Sequence, residues 1–549
     1  MVATRQEQAL KAQFQNNPQD QKAIQLYFRY INQANRAIRH SLIWKALPYS
    51  LAKWWWRSYI TGYKKIKDSS WLSQLWPQRS YPKWATQTVE QVVDNILKRY
   101  DTATPTLRNV LLYAWCDYGT PPREAPFVVH ALLTMHYTDG AYYPVGGPAQ
   151  IPRRIAAVIR ASGGELRVRQ RVQQIWVEPN SSKSSRKRNN ARNNHKPKVA
   201  GVILENGKRI RATNIISNAG MVNTYQYLLP EDVIASSNDN SNSNKKTKSK
   251  TSRRMVGTTT RSRMEDSSPS NTNKNGGSDK KNNAPLQNGM TGLYLFVGLE
   301  GSPDIDLHLP KQQIWAFWDD KKTAEVATTK KTEEALPIFI GSPSVKDPET
   351  WALNRPNSSS LEILTPAPWE WFADQLQGGV NDEDDETRVL KFQQWKHKLA
   401  QEVWQKSRQV LIAAGASEVK LPERLTEVDH YQFGTPLDFA RHLGSNRGAC
   451  YGLDHNMKRF ADPEMFFLKL RPDSLAQTTV QGLYLSGQDT VMCGMAGAMI
   501  GGYLCASQVL GGGLRNNPLS LLKQVNKGRV KFCTNLDETT EPTNENDNK

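Results

Sequence analysis

The chain has few cysteines. Cys116, Cys450, Cys493, Cys505 and Cys533 are scattered through 549 residues with no C-x-x-C pair. That spacing argues against a structural metal knuckle and a disulfide framework and leaves reduced thiols. Met1 to Asp20 is polar, rich in Gln and Asn, and lacks the apolar core of a signal peptide, so no secretory or transit signal is expected. No repeat recurs at solenoid periods.

Acidic charge is also in short supply, with 52 Asp and Glu against 72 Lys and Arg, a net charge of +20. The excess is concentrated. Residues 179–198 and 236–289 hold 14 of those 20 charges. Both stretches are rich in Asn, Ser and Lys and nearly free of large apolar residues, so they cannot bury enough surface to offset ordering entropy and are expected to be disordered insertions. The basic residues lack interleaved aromatics on which bases stack, which argues against a nucleic-acid partner.

What remains is rich in core material: 38% hydrophobic residues, with 16 Trp, 19 Tyr and 14 Phe, enough for one large core or two lobes. Ile24, Tyr27, Ile31, Ala34 and Ile38 recur at helical spacing and predict an amphipathic helix over 21–40. From Ile43 to Ile60, Trp44, Trp54, Trp55 and Trp56 mix with Lys45, Lys53 and Arg57. This is either a helix packed on its own domain or one lying at a membrane interface. Helices are expected over 89–113, 125–137 and 151–161, the last ended by Gly163-Gly164. Alternating residues predict strands at Leu166 and Val168, from Val172 to Val177, at 199–204 and at 210–216. The middle carries strand-like runs at 293–298, 314–318, 337–340 and 360–364 and a long helix over 387–414.

The most informative stretch is Leu483-Tyr484-Leu485-Ser486-Gly487-Gln488-Asp489, followed by Cys493-Gly494-Met495-Ala496-Gly497-Ala498. A short buried strand ends on glycine, presents an aspartate and opens a helix of small residues. Such a helix start lets a flat ligand approach the backbone and offers it unpaired N–H groups. Val491 to Leu510 is also almost uncharged, with Gly497 and Gly501 at G-x-x-x-G spacing, so a membrane helix is the competing reading. A strand leading directly into it argues against that, since a membrane span needs none.

Tyr143-Pro144-x-Gly146-Gly147, Gly163-Gly164-Glu165-Leu166, Ile216-Ser217-Asn218-Ala219-Gly220 and 484–498 resemble the phytoene desaturase and carotenoid isomerase group of flavin amine-oxidase-like proteins. Further strings resemble its retinol saturase branch: Asp117-Tyr118-Gly119-Thr120-Pro121-Pro122, Asp306-Leu307-His308-Leu309-Pro310, Lys346-Asp347-Pro348, Trp369-Glu370-Trp371-Phe372 and Arg447-Gly448-Ala449-Cys450-Tyr451-Gly452-x-Asp454-His455. The resemblance runs from about Ala23 to Leu510. It implies an α/β (α+β) fold class: an incomplete two-lobe FAD/NAD(P)-binding fold of the glutathione-reductase type with a mixed-sheet and helical substrate domain. The expected organisation is a helical part of the substrate domain at 1–140, FAD-domain strands at 141–220, substrate domain at 221–475, the C-terminal FAD-binding strand and helix at 476–515, and a polar tail at 516–549.

By the same resemblance, the chain is expected to reduce one carbon-carbon double bond of a retinol-like polyene, with FAD as cofactor and NADPH or NADH as electron donor. Val172, Asn218, Ala219, Gly487, Asp489, Gly494, Met495, Ala496 and Gly497 are the implied cofactor contacts, with Asp489 accepting from a ribityl hydroxyl. Cys450, Tyr451 and His455 are candidate proton donors, each also open to a purely structural reading. Carotenoid cis-trans isomerisation and a non-catalytic fragment are the alternatives. Peripheral membrane contact is expected, in the endoplasmic reticulum or a plastid. Two departures stand out. The G-x-G-x-x-G turn that holds a dinucleotide pyrophosphate occurs nowhere in the chain. Gln488 precedes Asp489, and Met492-Cys493-Gly494 stands where the wider group has Pro-Gly.

Overall fold

The computed structural model describes residues 4–54, 80–102, 104–138, 140–178, 197–231, 233, 288–318, 337–372, 385–462, 464–470 and 480–510. Among them the fold is mixed α/β, with a helical layer and three sheets.

The helical layer comprises α1 (Arg5–Gln13), α2 (Pro18–Ala46), α3 (Tyr81–Ala85), α4 (Val89–Arg99), α5 (Pro105–Leu112) and α6 (Phe127–His136). Asn17 caps α2 by accepting from the N–H of Gln19, and Pro18 sits in its first turn. The stripe Ile24, Tyr27, Ile31, Ala34 and Ile38 is buried against α6 and its neighbours. Each such isoleucine contributes about 1.5–3 kcal/mol relative to leaving it exposed. α1 was not foreseen: its residues are polar, and it is held by Thr4, whose hydroxyl caps the N–H of Glu7. The single helix expected over 89–113 is two, because the chain turns through Asp101 at φ 49° and restarts at Pro105. Trp44 and Lys45 lie inside this layer, which corrects the interfacial reading for that part of the segment. Trp54 is exposed, and Trp55 to Ile60 lie outside the described residues.

α7 (Gln150–Ala161) follows, and then β1 (Val172–Glu178), β2 (Lys198–Leu204) and β3 (Arg209–Arg211), an antiparallel meander. Leu166 and Val168 belong to no strand, and Val168 is exposed. The strand expected over 210–216 divides at 212–214: β3 stays in the meander, whereas β4 (Ile215–Ser217) leaves it to pair in parallel with β10 (Leu483–Leu485). α7 carries no buried residue, and Ile155, Val158 and Ile159 are exposed on it. Ile216 on β4 is half exposed as well.

The third sheet is antiparallel, in the order β6-β7-β8-β5-β9: β5 (Gly292–Glu300), β6 (Ile314–Ala316), β7 (Ile338–Gly341), β8 (Ser358–Pro366) and β9 (His430–Gly434). α8 (Pro348–Asn354) precedes β8, and α9 (Asp385–Ala413) backs the sheet. The period of two along β5 sends Leu293, Leu295, Val297 and Leu299 into a core that also holds Leu399, Val403 and Trp404 of α9. The same alternation places Tyr294 on the opposite face. α10 (Pro436–Leu443), α11 (Met457–Phe460) and α12 (Gly494–Val509) complete the fold. Among the described residues no helix is long and apolar enough to cross a membrane.

The expected insertions fall mostly outside the described residues, but their edges do not. Lys198 is the first residue of β2 and pairs with Glu178, while Asn288 bridges to Leu453 and Gly289 donates to the carbonyl of Gly452. Residues 179–196 therefore leave and re-enter the meander at one paired position, where a short turn suffices. Replacing them with a short Gly/Asn linker should change the unfolding temperature by no more than about 2 °C. A broadened or lost cooperative transition, followed by circular dichroism, would show that the segment holds the sheet together.

Candidate functional site

Parallel pairing of β4 with β10 brings two turns side by side, one at 218–221 and one at 486–490. Gly487 opens the second with φ 87° and ψ −165°, a backbone conformation that glycine alone adopts readily, and a Cβ there would also press on Asn218 Oδ1. The turn continues as a short 3-10 segment (Gln488–Thr490) and passes into α12. Gly497 and Gly501 are used against this same turn. An added Cβ would meet Met492 O at 2.1 Å or Gly487 O at 2.4 Å, so the G-x-x-x-G spacing serves close packing of the helix on its own loop.

Asp489 is 4% exposed and joins three segments. Its Oδ2 accepts from the N–H of Met221 at 2.7 Å and its Oδ1 from the N–H of Leu453 at 2.9 Å. The 450–456 loop is held in turn by Asp454, which accepts from Thr120 Oγ1 and from Asn456 Nδ2 at 2.7 Å. The strings at 117–122, 218–221, 447–455 and 484–498 are thus one spatial unit.

Between them lies a cleft of about 480 Å³, lined by Asn218, Ala219, Gly220, Cys450, Tyr451, Gly452, Gln488, Asp489, Gly494 and Met495, among others. The N-terminus of α12 opens on it without a side-chain cap, so its first N–H groups are available to a ligand. Cys450 is reached by Tyr294, whose hydroxyl donates to Sγ at 2.7 Å and whose ring stacks on Phe439 at 4.4 Å. Burial pushes the Cys450 thiol up to about 11, partly offset by that hydrogen bond, and pushes the Tyr451 phenol well above its usual range. Both therefore carry a proton at neutral pH.

His455 has a different place. It is fully buried, its Nε2 accepts from the N–H of Cys493 at 2.9 Å, and burial holds it well below the usual imidazole range. A neutral ring accepting at Nε2 carries its proton on Nδ1; its visible role is to hold the N–H of Cys493, the residue before α12, which leaves the helix's own first N–H groups uncapped. Asn218, Ala219, Asp489, Gly494 and Met495 line the cleft. Gly487, Ala496 and Gly497 sit beside it in the turn and helix, and Val172 lies apart at the start of β1. Sequence reasoning missed Tyr294, signalled only by its out-of-phase position in β5. It also gave no role to Asp117, whose carboxyl accepts from Trp315 Nε1 at 3.0 Å and is pushed up to about 6 by burial. Nor did it find Arg459, whose guanidinium is fully buried under the 488–491 turn.

No protein-family model matches the chain. Over 130 residues it is 28% identical to the phytoene desaturase of Neurospora crassa, which covers 24% of this chain and 20% of that one. This makes it a relative of phytoene desaturase across part of its length. Over nearly all of its length the chain is homologous to proteins named all-trans-retinol 13,14-reductase; that of Danio rerio is 27% identical over 528 residues, 94% of this chain and 70% of the relative. A second Danio rerio protein, named inactive all-trans-retinol 13,14-reductase, is 24% identical over 536 residues, 95% of this chain and 70% of the relative.

Because two buried N–H groups depend on Asp489, its loss is felt in stability before any ligand is present. Asp489→Ala should cost about 2–6 kcal/mol, at about 1–3 kcal/mol for each orphaned donor. Asp489→Asn, which keeps one acceptor oxygen, should cost less. Urea denaturation of the two variants measures this, and an alanine variant as stable as the parent would mean that the clamp is not formed.

Proposed function

We propose that this chain supplies the flavin-ring and substrate portion of an FAD-dependent oxidoreductase that saturates one carbon-carbon double bond of a retinol-like polyene. The observation that carries this reading is one cleft with an uncapped helix N-terminus on one wall and two protonated groups, Cys450 and Tyr451, on another. The near full-length likeness to proteins named all-trans-retinol 13,14-reductase supports it.

The residues present fit the ring and ribityl end of a flavin. Gly494 and Met495 put helix N–H groups at the cleft wall, where they favour an electron-rich ring edge. Asp489 uses two of the roughly four lone-pair sites of a carboxylate on the backbone, which leaves acceptors for ribityl hydroxyls. The residues do not fit the dinucleotide end. The sequence has no G-x-G-x-x-G turn, and among the described residues the parallel sheet has only two strands, with Ile216 and the apolar face of α7 uncovered. When bound, a reduced flavin supplies hydride to one alkene carbon. The chain's part is to hold the polyene in the cleft and to deliver a proton to the other carbon from the Cys450 thiol or the Tyr451 hydroxyl, so that the product gains two hydrogens. Likeness to the protein named inactive favours a second reading, a non-catalytic homologue that keeps the cleft. Product mass after incubation with reduced flavin and a retinol-like polyene separates the two: a gain of two hydrogens supports reduction, and an unchanged mass defeats it.

Since the described residues hold no cradle for the adenylate half of FAD, FAD should bind only weakly to this chain, with Kd on the order of 10 μM or weaker, and FMN should match it within about three-fold. A stoichiometrically yellow purified protein would overturn this.

If Asp489 holds the ribityl chain, Asp489→Asn should lower FMN affinity about ten-fold, the loss expected for one charge-assisted hydrogen bond, whereas Cys493→Ala should change it by less than about three-fold. Flavin fluorescence titration gives both numbers. Equal losses would move the ribityl contact elsewhere in the turn.

A further inference from the structure

Two cations are fully buried behind the 488–491 turn: Lys45 near the end of α2 and Arg459 in α11. Their hydrogen bonds converge on one turn. Lys45 Nζ donates to the carbonyl of Thr490 and, at 2.9 Å, to that of Leu470, and it lies 4.0 Å from the centre of the Phe466 ring. Arg459 Nη2 donates to the carbonyls of Gln488 at 3.1 Å, Asp489 at 3.1 Å and Val491 at 3.2 Å, while Nη1 donates to that of Leu453 at 2.7 Å. Four consecutive carbonyls, 488 to 491, are thus drawn inward by side chains from two distant elements.

That arrangement has two physical consequences. It fixes which way the turn faces, so the side bearing Gln488 and Asp489 is presented to the cleft. It also buries two cationic side chains behind the turn, where solvent screens them little; the Asp489 carboxylate opposes Arg459, so the cleft experiences the sum of these charges. Apolar residues at 45 and 459 would fill the space without the desolvation cost of two ions, but the carbonyls of Asp489, Thr490 and Val491 would then lose their donors, and that of Gln488 would keep only the N–H of Val491.

We propose that Lys45 and Arg459 are positioning residues for the ligand turn: they lock 488–491 in its cleft-facing form, and their charge makes the cleft prefer the electron-rich, reduced state of a flavin ring. The second half of this rests on the flavin reading above; the first does not.

The test uses the full chain with Lys45→Met, Arg459→Met and the charge-conserving Arg459→Lys. Amide hydrogen exchange of the free protein reads the turn. Amides 488–492 should exchange about ten-fold faster in the methionine variants while β5 and α6 are unchanged. Unaltered exchange in Lys45→Met, or a rise spread evenly over the whole protein, overturns the positioning role. The charge is read by titrating oxidised and dithionite-reduced FMN anaerobically against tryptophan fluorescence. The parent should favour the reduced form by about ten-fold, each methionine variant should bring that ratio towards one, and Arg459→Lys should retain it. A role limited to structure weakens both redox forms alike and leaves the ratio unchanged, which would overturn the electrostatic half. If neither form of FMN binds the parent, the flavin reading fails, and hydrogen exchange still decides whether the two cations hold the turn. If Arg459→Met does not fold, Lys45→Met and Arg459→Lys carry both measurements.

Discussion

The site depends on one buried carboxylate. Asp489 accepts from Met221 and Leu453, which belong to turns separated from it by 268 and 36 residues. A carboxylate buried to this degree is tolerable only when hydrogen-bonded, and here its partners are backbone N–H groups that themselves need an acceptor. Each side of the contact therefore meets the other's requirement. The 218–221 turn, the 450–456 loop and the mouth of α12 all take their places from it, and the cleft is the space left between them.

A second tier of contacts supports this one. His455 holds the N–H of Cys493 where α12 begins, Thr120 ties Asp454 to the 117–122 stretch, and Arg459 anchors the carbonyls behind Asp489. These partners come from the helical layer or pack on it: Phe460, Phe466, Val491, Met492 and Leu504 share one core with Ile24, Ile31 and Trp84. Tyr294 approaches from the opposite side, carried by the five-stranded sheet with its separate core. A third core, which holds Met221, Leu453, Leu483 and Leu485, underlies the turns and loop that line the cleft, and the two protonated groups lie on the 450–451 segment beside it.

Much of this was legible in the residues because it follows from periodicity or from glycine. The α2 stripe is a three- and four-residue repeat, and Gly487 with Asp489 marks a strand giving way to a helix. What escaped has a physical reason in each case. β3 and β4 read as one strand in the sequence but diverge to different sheets, and only non-local pairing separates them. β9, His430-Tyr431-Gln432-Phe433-Gly434, is too short and too polar to stand out. Leu166 and Val168 alternate like a strand yet find no partner to pair with. Arg459 and Lys45 carry no periodic signal, because a buried cation is specified by the carbonyls around it, and those belong to segments far along the chain.

The pairing of β4 with β10 also sets an order of assembly. It closes a loop of about 270 residues, as the 268-residue span of the Met221–Asp489 contact shows. Closure over such a span adds little to the equilibrium cost, since entropy grows only with the logarithm of length, but it delays the encounter. The five-stranded sheet and most of the helical layer have cores that draw on residues before 434, so much of them takes shape while the strand at 483–485 is still to be synthesised. The ligand cleft has no such head start: it comes into being only when the last strand and α12 arrive, so a chain cut short before 483 lacks the site.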